Sequence, residues 1–154
     1  MVLAGVMLGG FLAAMVYGFA THSMQPPSHI ETIDPATVTS SSEFAEPGVE
    51  RLEDGSYLVT MVAELYRFQP VAVRVEAGVP VRFRAASPDV LHGLQIVGTN
   101  VNTMVVPGYV SDFTVTFPTP GDYLIVCNEY CGLSHHMMQG ELIVEPAGSM
   151  EAAP

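Results

Sequence analysis

The chain has 154 residues, 49% of them hydrophobic, and sixteen acidic against five basic side chains, for a formal charge of −11. That length holds one domain of ordinary size, and the apolar fraction is ample for a buried core. So acidic a balance excludes nucleic acid as a natural partner and suits a basic protein instead. All five basic residues, Arg51, Arg67, Arg74, Arg82 and Arg84, are arginine and no lysine is present. Such a surface fits a salt-rich medium, where counterions screen self-repulsion, and genome composition explains it equally well.

Met1 to Ala20 carries neither charge nor proline. As a helix rising about 1.5 Å per residue it would cover about 30 Å, one hydrocarbon core, so residues 1–22 are expected to form a transmembrane anchor. A cleaved signal peptide is the competing expectation. It is disfavoured because no basic residue precedes the apolar run and Gly18-Phe19-Ala20 is a weak cleavage site. Gly10, Ala14 and Gly18 fall on one face, as do Gly5 and Gly9, which suits close packing inside a membrane complex, although small residues are common in any membrane helix. With no Lys or Arg before Arg51, flanking charge gives no orientation.

Residues 23–55 are polar and proline-bearing, with Pro26-Pro27, Pro35, Ser40-Ser41-Ser42 and Pro47, and are expected to be a linker holding one short helix at most. His22 and His29 are taken as solvated bystanders. Beyond Gly55, eight β-rich runs are separated by turn residues: Tyr57–Ala63, Val71–Val75, Val79–Arg84, Leu91–Val97, Asn102–Val106, Val110–Phe117, Tyr123–Cys127 and Glu141–Val144. They predict a β sandwich or barrel over 56–146, followed by a tail, 147–154. Alternation in the second and third runs turns apolar residues inward and Arg74, Arg82 and Arg84 outward.

Between Cys127 and Met138 lie the only two cysteines of the chain, with His135 and Met138 beside them. Thiolate, imidazole and thioether are soft or borderline ligands, and together they point to copper. A disulfide would need neither His135 nor Met138, and closing so small a loop constrains the unfolded chain little. Zinc stays open, but its usual spacing is Cys-x2-Cys and it has no use for a thioether. One blue copper would use one thiolate, two imidazoles and the methionine, leaving a cysteine idle, whereas two coppers bridged by both thiolates employ every residue. His92, at the end of Ser87-Pro88-Asp89-Val90-Leu91-His92-Gly93, is the candidate second imidazole. Its nearer rival His136 adjoins His135, and adjacent loop residues tend to point apart.

The pattern Cys127-x-Glu129-x-Cys131-x3-His135-x2-Met138, with the upstream Ser-Pro-Asp-Val-Leu-His-Gly, resembles the binuclear CuA domain of cytochrome c oxidase subunit II over roughly residues 57–145. The single anchor and short length are similar to the ba-type branch of haem-copper oxidases. The resemblance implies an all-β cupredoxin-like Greek-key barrel with one N-terminal transmembrane helix. It implies Cys127 and Cys131 as bridging thiolates, His92 and His135 each on one copper, the Met138 thioether axial on one, and the Glu129 carbonyl axial on the other. It leaves room for magnesium at the interface with subunit I through the Glu129 side chain, where some ba-type relatives carry an amide. Met137 is read as packing.

By the same resemblance the chain is an electron inlet. It would accept electrons from a soluble cytochrome c or small copper protein and pass them to haem in subunit I, where oxygen is reduced. The copper domain would lie on the periplasmic or extracellular side of the plasma membrane. Some relatives admit electrons through a tryptophan. This chain has none, and Tyr66 and Phe68 are its substitutes by position. A membrane-anchored mononuclear blue-copper carrier is the main alternative. The copper domain of nitrous oxide reductase carries a similar motif but normally follows a propeller, and quinol oxidase subunit II has a similar fold without the ligands.

Overall fold

The computed structural model describes residues 2–21 and 30–150, with side chains described for 2–18 and 30–150. The chain forms two units, Met1–Ile30 and Glu31–Pro154. In the first, helix α1 runs over Val2–Thr21. Nearly all its described side chains are exposed, large apolar ones such as Phe11 and Val16 included. Among the described residues, whose side chains in α1 end at Gly18, no helix is long and apolar enough to cross a membrane. The expected helix therefore forms, while His22 and His29 lie outside the described residues.

The described residues of the second unit form ten strands: β1 (Gly48–Arg51), β2 (Tyr57–Glu64), β3 (Arg67–Gln69), β4 (Ala72–Glu76), β5 (Pro80–Ala86), β6 (His92–Ile96), β7 (Asn102–Val105), β8 (Ser111–Thr116), β9 (Gly121–Val126) and β10 (Gln139–Glu145). One sheet has the order β1-β2-β5-β8 with β3 also paired to β2, and the other has the order β4-β10-β9-β6-β7. Pairs β2/β5 and β4/β10 are parallel and the rest antiparallel. The two ladders remain separate, so the unit is a sandwich in its hydrogen bonding rather than a closed barrel. All eight expected strands form, each shifted by only a residue or two at its ends. Sequence patterning misses β1, whose residues are largely exposed, and β3, which has only three residues.

Alternating apolar residues of both sheets meet in one core containing Val59, Met61, Phe83, Leu94, Ile96, Ile125 and Leu142, all fully buried. Phe83 stacks on Phe113 with ring centroids 5.2 Å apart and meets Phe117 edge-on at 6.4 Å. Each such side chain contributes about 1.5–3 kcal/mol by leaving water. The core continues to Cys127, Cys131 and Met138, so the ligand loops sit on its edge.

The expected linker is corrected from Glu31 onward, because residues 31–47 are folded. Asp34 caps a 3₁₀ turn over Pro35–Ser40 by accepting the Ala36 N–H at 3.0 Å, with Pro35 in the first helical position, where its missing N–H does no harm. Val38 and Phe44 then bury themselves against Val62 and Ala86 on the outer face of β2 and β5.

Arg84 is corrected with them. Alternation does turn it to the outer face, but residues 31–47 cover that face and leave it 8% exposed. Its guanidinium pairs with Glu43, with Glu31 at 2.7 Å and with Asp112 at 2.8 Å. Glu43 foremost, working against burial, raises its pKa and keeps it charged. The tail also begins inside the fold. The buried Glu76 carboxylate accepts the Met150 N–H at 2.9 Å and pairs with Arg51 at 3.3 Å.

Phe44→Ala should therefore lower the stability of the Glu31–Pro154 unit by about 3 kcal/mol in denaturant unfolding. An unchanged midpoint would return residues 31–47 to the status of a linker.

Candidate metal centre

Strands β6 and β9 are neighbours in the second sheet, and their adjacency assembles the site. His92 is the first residue of β6, at the exit of the Ser87–Leu91 loop, and Cys127 directly follows β9. The β9–β10 connection then supplies Glu129, Cys131, His135 in a 3₁₀ turn (His135–Met137), and Met138 immediately before β10. Gly93 permits the approach, because a Cβ there would overlap Asn128 Oδ1.

All six candidate ligands come together. The two sulfurs lie 3.9 Å apart as free, buried thiols, far beyond the roughly 2.05 Å of a disulfide. His92 Nδ1 is 3.9 Å from Cys127 Sγ, and that thiol donates to the Glu129 carbonyl at 3.2 Å. His135 Nδ1 is 3.5 Å and Met138 Sδ 3.8 Å from Cys131 Sγ. Among the described residues, His92, Cys127 and Cys131 place their ligand atoms within 4.8 Å of one another. Each thiol thus has an imidazole nitrogen and one weaker donor beside it. Burial first, and then the neighbouring Cys127, pushes the Cys131 thiol up to about 11. A metal binding there must displace its proton.

His136, the rival imidazole, is exposed, and it is His92 that faces the thiols. The packing role expected for Met137 is corrected: that side chain is 67% exposed, because the 3₁₀ turn points Met138 inward and its neighbour out. Tyr130 at 71% and Leu133 at 88% exposure complete an apolar rim on the same connection. The Glu129 side chain is partly exposed. Of the two aromatic substitutes, Phe68 is fully buried, whereas Tyr66 is half-buried and its hydroxyl accepts the Leu133 N–H at 3.1 Å.

Sequence inspection overlooked Asp89. Its Oδ1 lies 2.9 Å from His92 Nε2. A carboxylate only accepts, so in the neutral ring Nε2 carries the hydrogen and bare Nδ1 turns to the thiols. Burial opposes ionisation of Asp89, but hydrogen bonds from His92, Leu65, Val90 and Ser87 outweigh it and hold the carboxyl below its usual range. The signal was present in Asp-Val-Leu-His, since metal-binding histidines commonly give their other nitrogen to a carboxylate.

The family profile described as "Cytochrome C oxidase subunit II, periplasmic domain" matches residues 49–145. A curated relative, cytochrome c oxidase subunit 2 of Thermus thermophilus, is 39% identical over 143 residues, covering 90% of this chain and 85% of its own. The cryo-EM structure of a heme-copper terminal oxidase dimer contains a chain that is 30% identical with a TM-score of 0.70, covering 94% of this chain and 95% of that one. The periplasmic domain of subunit II of the Bradyrhizobium japonicum cytochrome oxidase, 15% identical with a TM-score of 0.54 over 62% of this chain and 88% of that one, shares the fold, and the expected cupredoxin-like architecture is that of this subunit II domain. Profile, full-length identity and fold agree, and the chain belongs to the cytochrome c oxidase subunit II family, as a subunit of a haem-copper oxidoreductase.

Proposed function

We propose that this chain is the electron inlet of its oxidase and holds a binuclear copper centre, with Cys127 and Cys131 as bridging thiolates and His92, His135, Met138 and the Glu129 carbonyl completing the two coordination shells. The observation that carries this is the pairing of each buried thiol with its own imidazole Nδ1 beside a sulfur–sulfur distance of 3.9 Å. A single-copper carrier would leave one of these cysteines without a task, and a zinc site would have no use for Met138. Copper held by these residues would supply one-electron transfer, and the buried thiols, imidazoles and thioether would keep its surroundings fixed. The protein supplies the frame: the apolar core shuts water from His92 and Met138, and two adjacent strands fix the loops that carry the ligands. Oxygen reduction belongs to the haem-bearing subunit I.

The α1 helix, 20 residues without a charge, is about 30 Å long. We assign it as a single-pass anchor within residues 1–22, with the copper domain on the periplasmic or extracellular side of the plasma membrane. The full chain should require detergent for extraction, co-purify with a haem-bearing subunit, and contain two coppers. Its electron paramagnetic resonance spectrum should show hyperfine splitting from two equivalent nuclei. One copper with a single-nucleus pattern would select the blue-copper carrier, and zinc would remove electron transfer altogether.

The donor, a soluble cytochrome c or small copper protein, is assigned to the apolar rim of Tyr130, Leu133 and Met137, which lies on the ligand-bearing connection itself. A charge here costs docking without touching a ligand. Leu133→Asp should slow reduction by the donor about tenfold, the equivalent of about 1.4 kcal/mol of lost contact, with the copper spectrum unchanged. Undiminished reduction would move the docking surface elsewhere.

The partly exposed Glu129 carboxylate, whose carbonyl is engaged at the thiols, is free to bind magnesium at the interface with subunit I. Metal analysis of the assembled Glu129→Gln oxidase should then show magnesium lost and copper retained. Full magnesium occupancy would dismiss the second site.

A further inference from the structure

One ligand loop, Ser87–Leu91, crosses from β5 of the first sheet to β6 of the second, the other joins β9 to β10 within the second, and both are held by one turn of the first. Leu65 and Tyr66, joining β2 to β3, form that turn. The Leu65 N–H donates to Asp89 Oδ2 at 2.7 Å. The other carboxylate oxygen, Oδ1, takes the Val90 N–H at 2.6 Å and the Ser87 hydroxyl at 3.0 Å, and faces His92 Nε2 at 2.9 Å. With both oxygens engaged, the Asp89 carboxylate cannot rotate, and it fixes the plane of the His92 ring against the turn.

The next residue reaches the other loop. Tyr66 Oη accepts the Leu133 N–H at 3.1 Å, between Cys131 and His135. Gly132 lies against the hydroxyl end of the same ring: a Cβ on it would be 2.7 Å from Tyr66 Oη and 3.0 Å from Cε1, and its φ of +134° is one that side chains rarely adopt. The tyrosine therefore grips the backbone of the ligand loop through a hydrogen bond and a close ring contact at once. A continuous path runs from His92 through Asp89, Leu65 and Tyr66 to Leu133, spanning both halves of the centre and both sheets.

We propose that Asp89 and Tyr66 are positioning residues of the metal centre and that the Leu65–Tyr66 turn is the brace that sets the spacing between the His92 half and the Cys131–His135 half. The inference rests on the copper assignment above. Sequence distance hides the device, since the linked residues are 24 and 67 positions apart. The competing account makes Asp89 an internal cap of its own loop and Tyr66 a filler, and it anticipates lost stability with no change at the metal.

The test compares the full-length wild type with Tyr66→Phe, Asp89→Asn and the double variant. Tyr66→Phe keeps the ring and removes only the acceptor, and Asp89→Asn keeps the shape and removes the charge. In the copper-loaded chain both should retain the wild-type copper content while altering the hyperfine splitting. Asp89→Asn should raise the reduction potential, because a negative charge next to a ligand is lost, and the double variant should depart from the sum of the singles, because the two act through one turn. In the metal-free chain, exchange of the Leu133 amide should become about tenfold faster in Tyr66→Phe, and the nitrogen-15 signals of His92 should show the Nε2–H tautomer depopulated in Asp89→Asn. Wild-type hyperfine splitting and potential in both variants, with only a lower melting temperature, would overturn the brace. A wild-type protein holding one copper or zinc would remove the copper assignment instead, and the two metal-free measurements would then decide the brace: unchanged exchange and tautomer would overturn it.

Discussion

Two free thiols 3.9 Å apart at the edge of an apolar core are the arrangement on which the rest of the structure depends. Burial of this kind disfavours the thiolate form, and the Cys131 thiol is accordingly pushed up to about 11. The fold nevertheless keeps them unbonded and facing two imidazole nitrogens, which requires that four chain segments arrive at one point with little freedom. Adjacent strands β6 and β9 bring His92 and Cys127 together, and the start of β10 returns Met138 beneath them. A glycine at 93 lets the β6 backbone come against Asn128. These are packing requirements, and they explain why His92, Cys127 and Met138 sit at strand ends of the sandwich, with Glu129, Cys131 and His135 on the connection that those ends hold.

Much of this was legible from residue types. β-rich runs broken by turn residues located eight strands, with alternation clearest in β4 and β5, and the ligand set was visible because cysteine, histidine and methionine lie so close in the chain. What escaped notice has a common cause. Alternation tells which face of a strand a residue occupies, but not what covers that face. Arg84 and Phe44 show the consequence: the arginine does turn outward, and a proline-bearing stretch with no period of its own closes over it, driven by Val38 and Phe44. Strand β1 was hidden because an exposed edge strand needs no apolar alternation. The bonds from Leu65 to Asp89 and from Leu133 to Tyr66 were hidden because a hydrogen bond across 24 or 67 residues leaves no local pattern. Met137 was misassigned because the 3₁₀ turn, at three residues per turn, carries its side chain away from the buried side that Met138 occupies.

The distribution of charge follows from the same fold. Every arginine has a carboxylate partner: Arg51 with Glu76, Arg67 with Glu64, Arg74 with Glu145, Arg82 with Asp112, and Arg84 with Glu31, Glu43 and Asp112. Most of these pairs have a solvent-exposed member and add little stability singly. The Arg84 cluster differs, since its guanidinium is nearly buried and removing it would leave three carboxylates facing one another. With five cations engaged against sixteen acids, the unpaired charge is negative.

A field of one sign can draw in a basic donor and quicken its arrival, but it falls off over about 10 Å in ordinary salt and cannot select one spot on a surface that is acidic throughout. Selection needs a local feature that differs from its surroundings. On the reading proposed above, that feature would be the uncharged rim of Tyr130, Leu133 and Met137, carried by the same twelve-residue connection that bears both thiols. A donor settled there meets the ligand loop itself, and the brace from Tyr66 to the Leu133 N–H gives it a firm surface to meet. Attraction at a distance and recognition at contact would thus be divided between the acidic body of the domain and the apolar edge of its candidate metal centre.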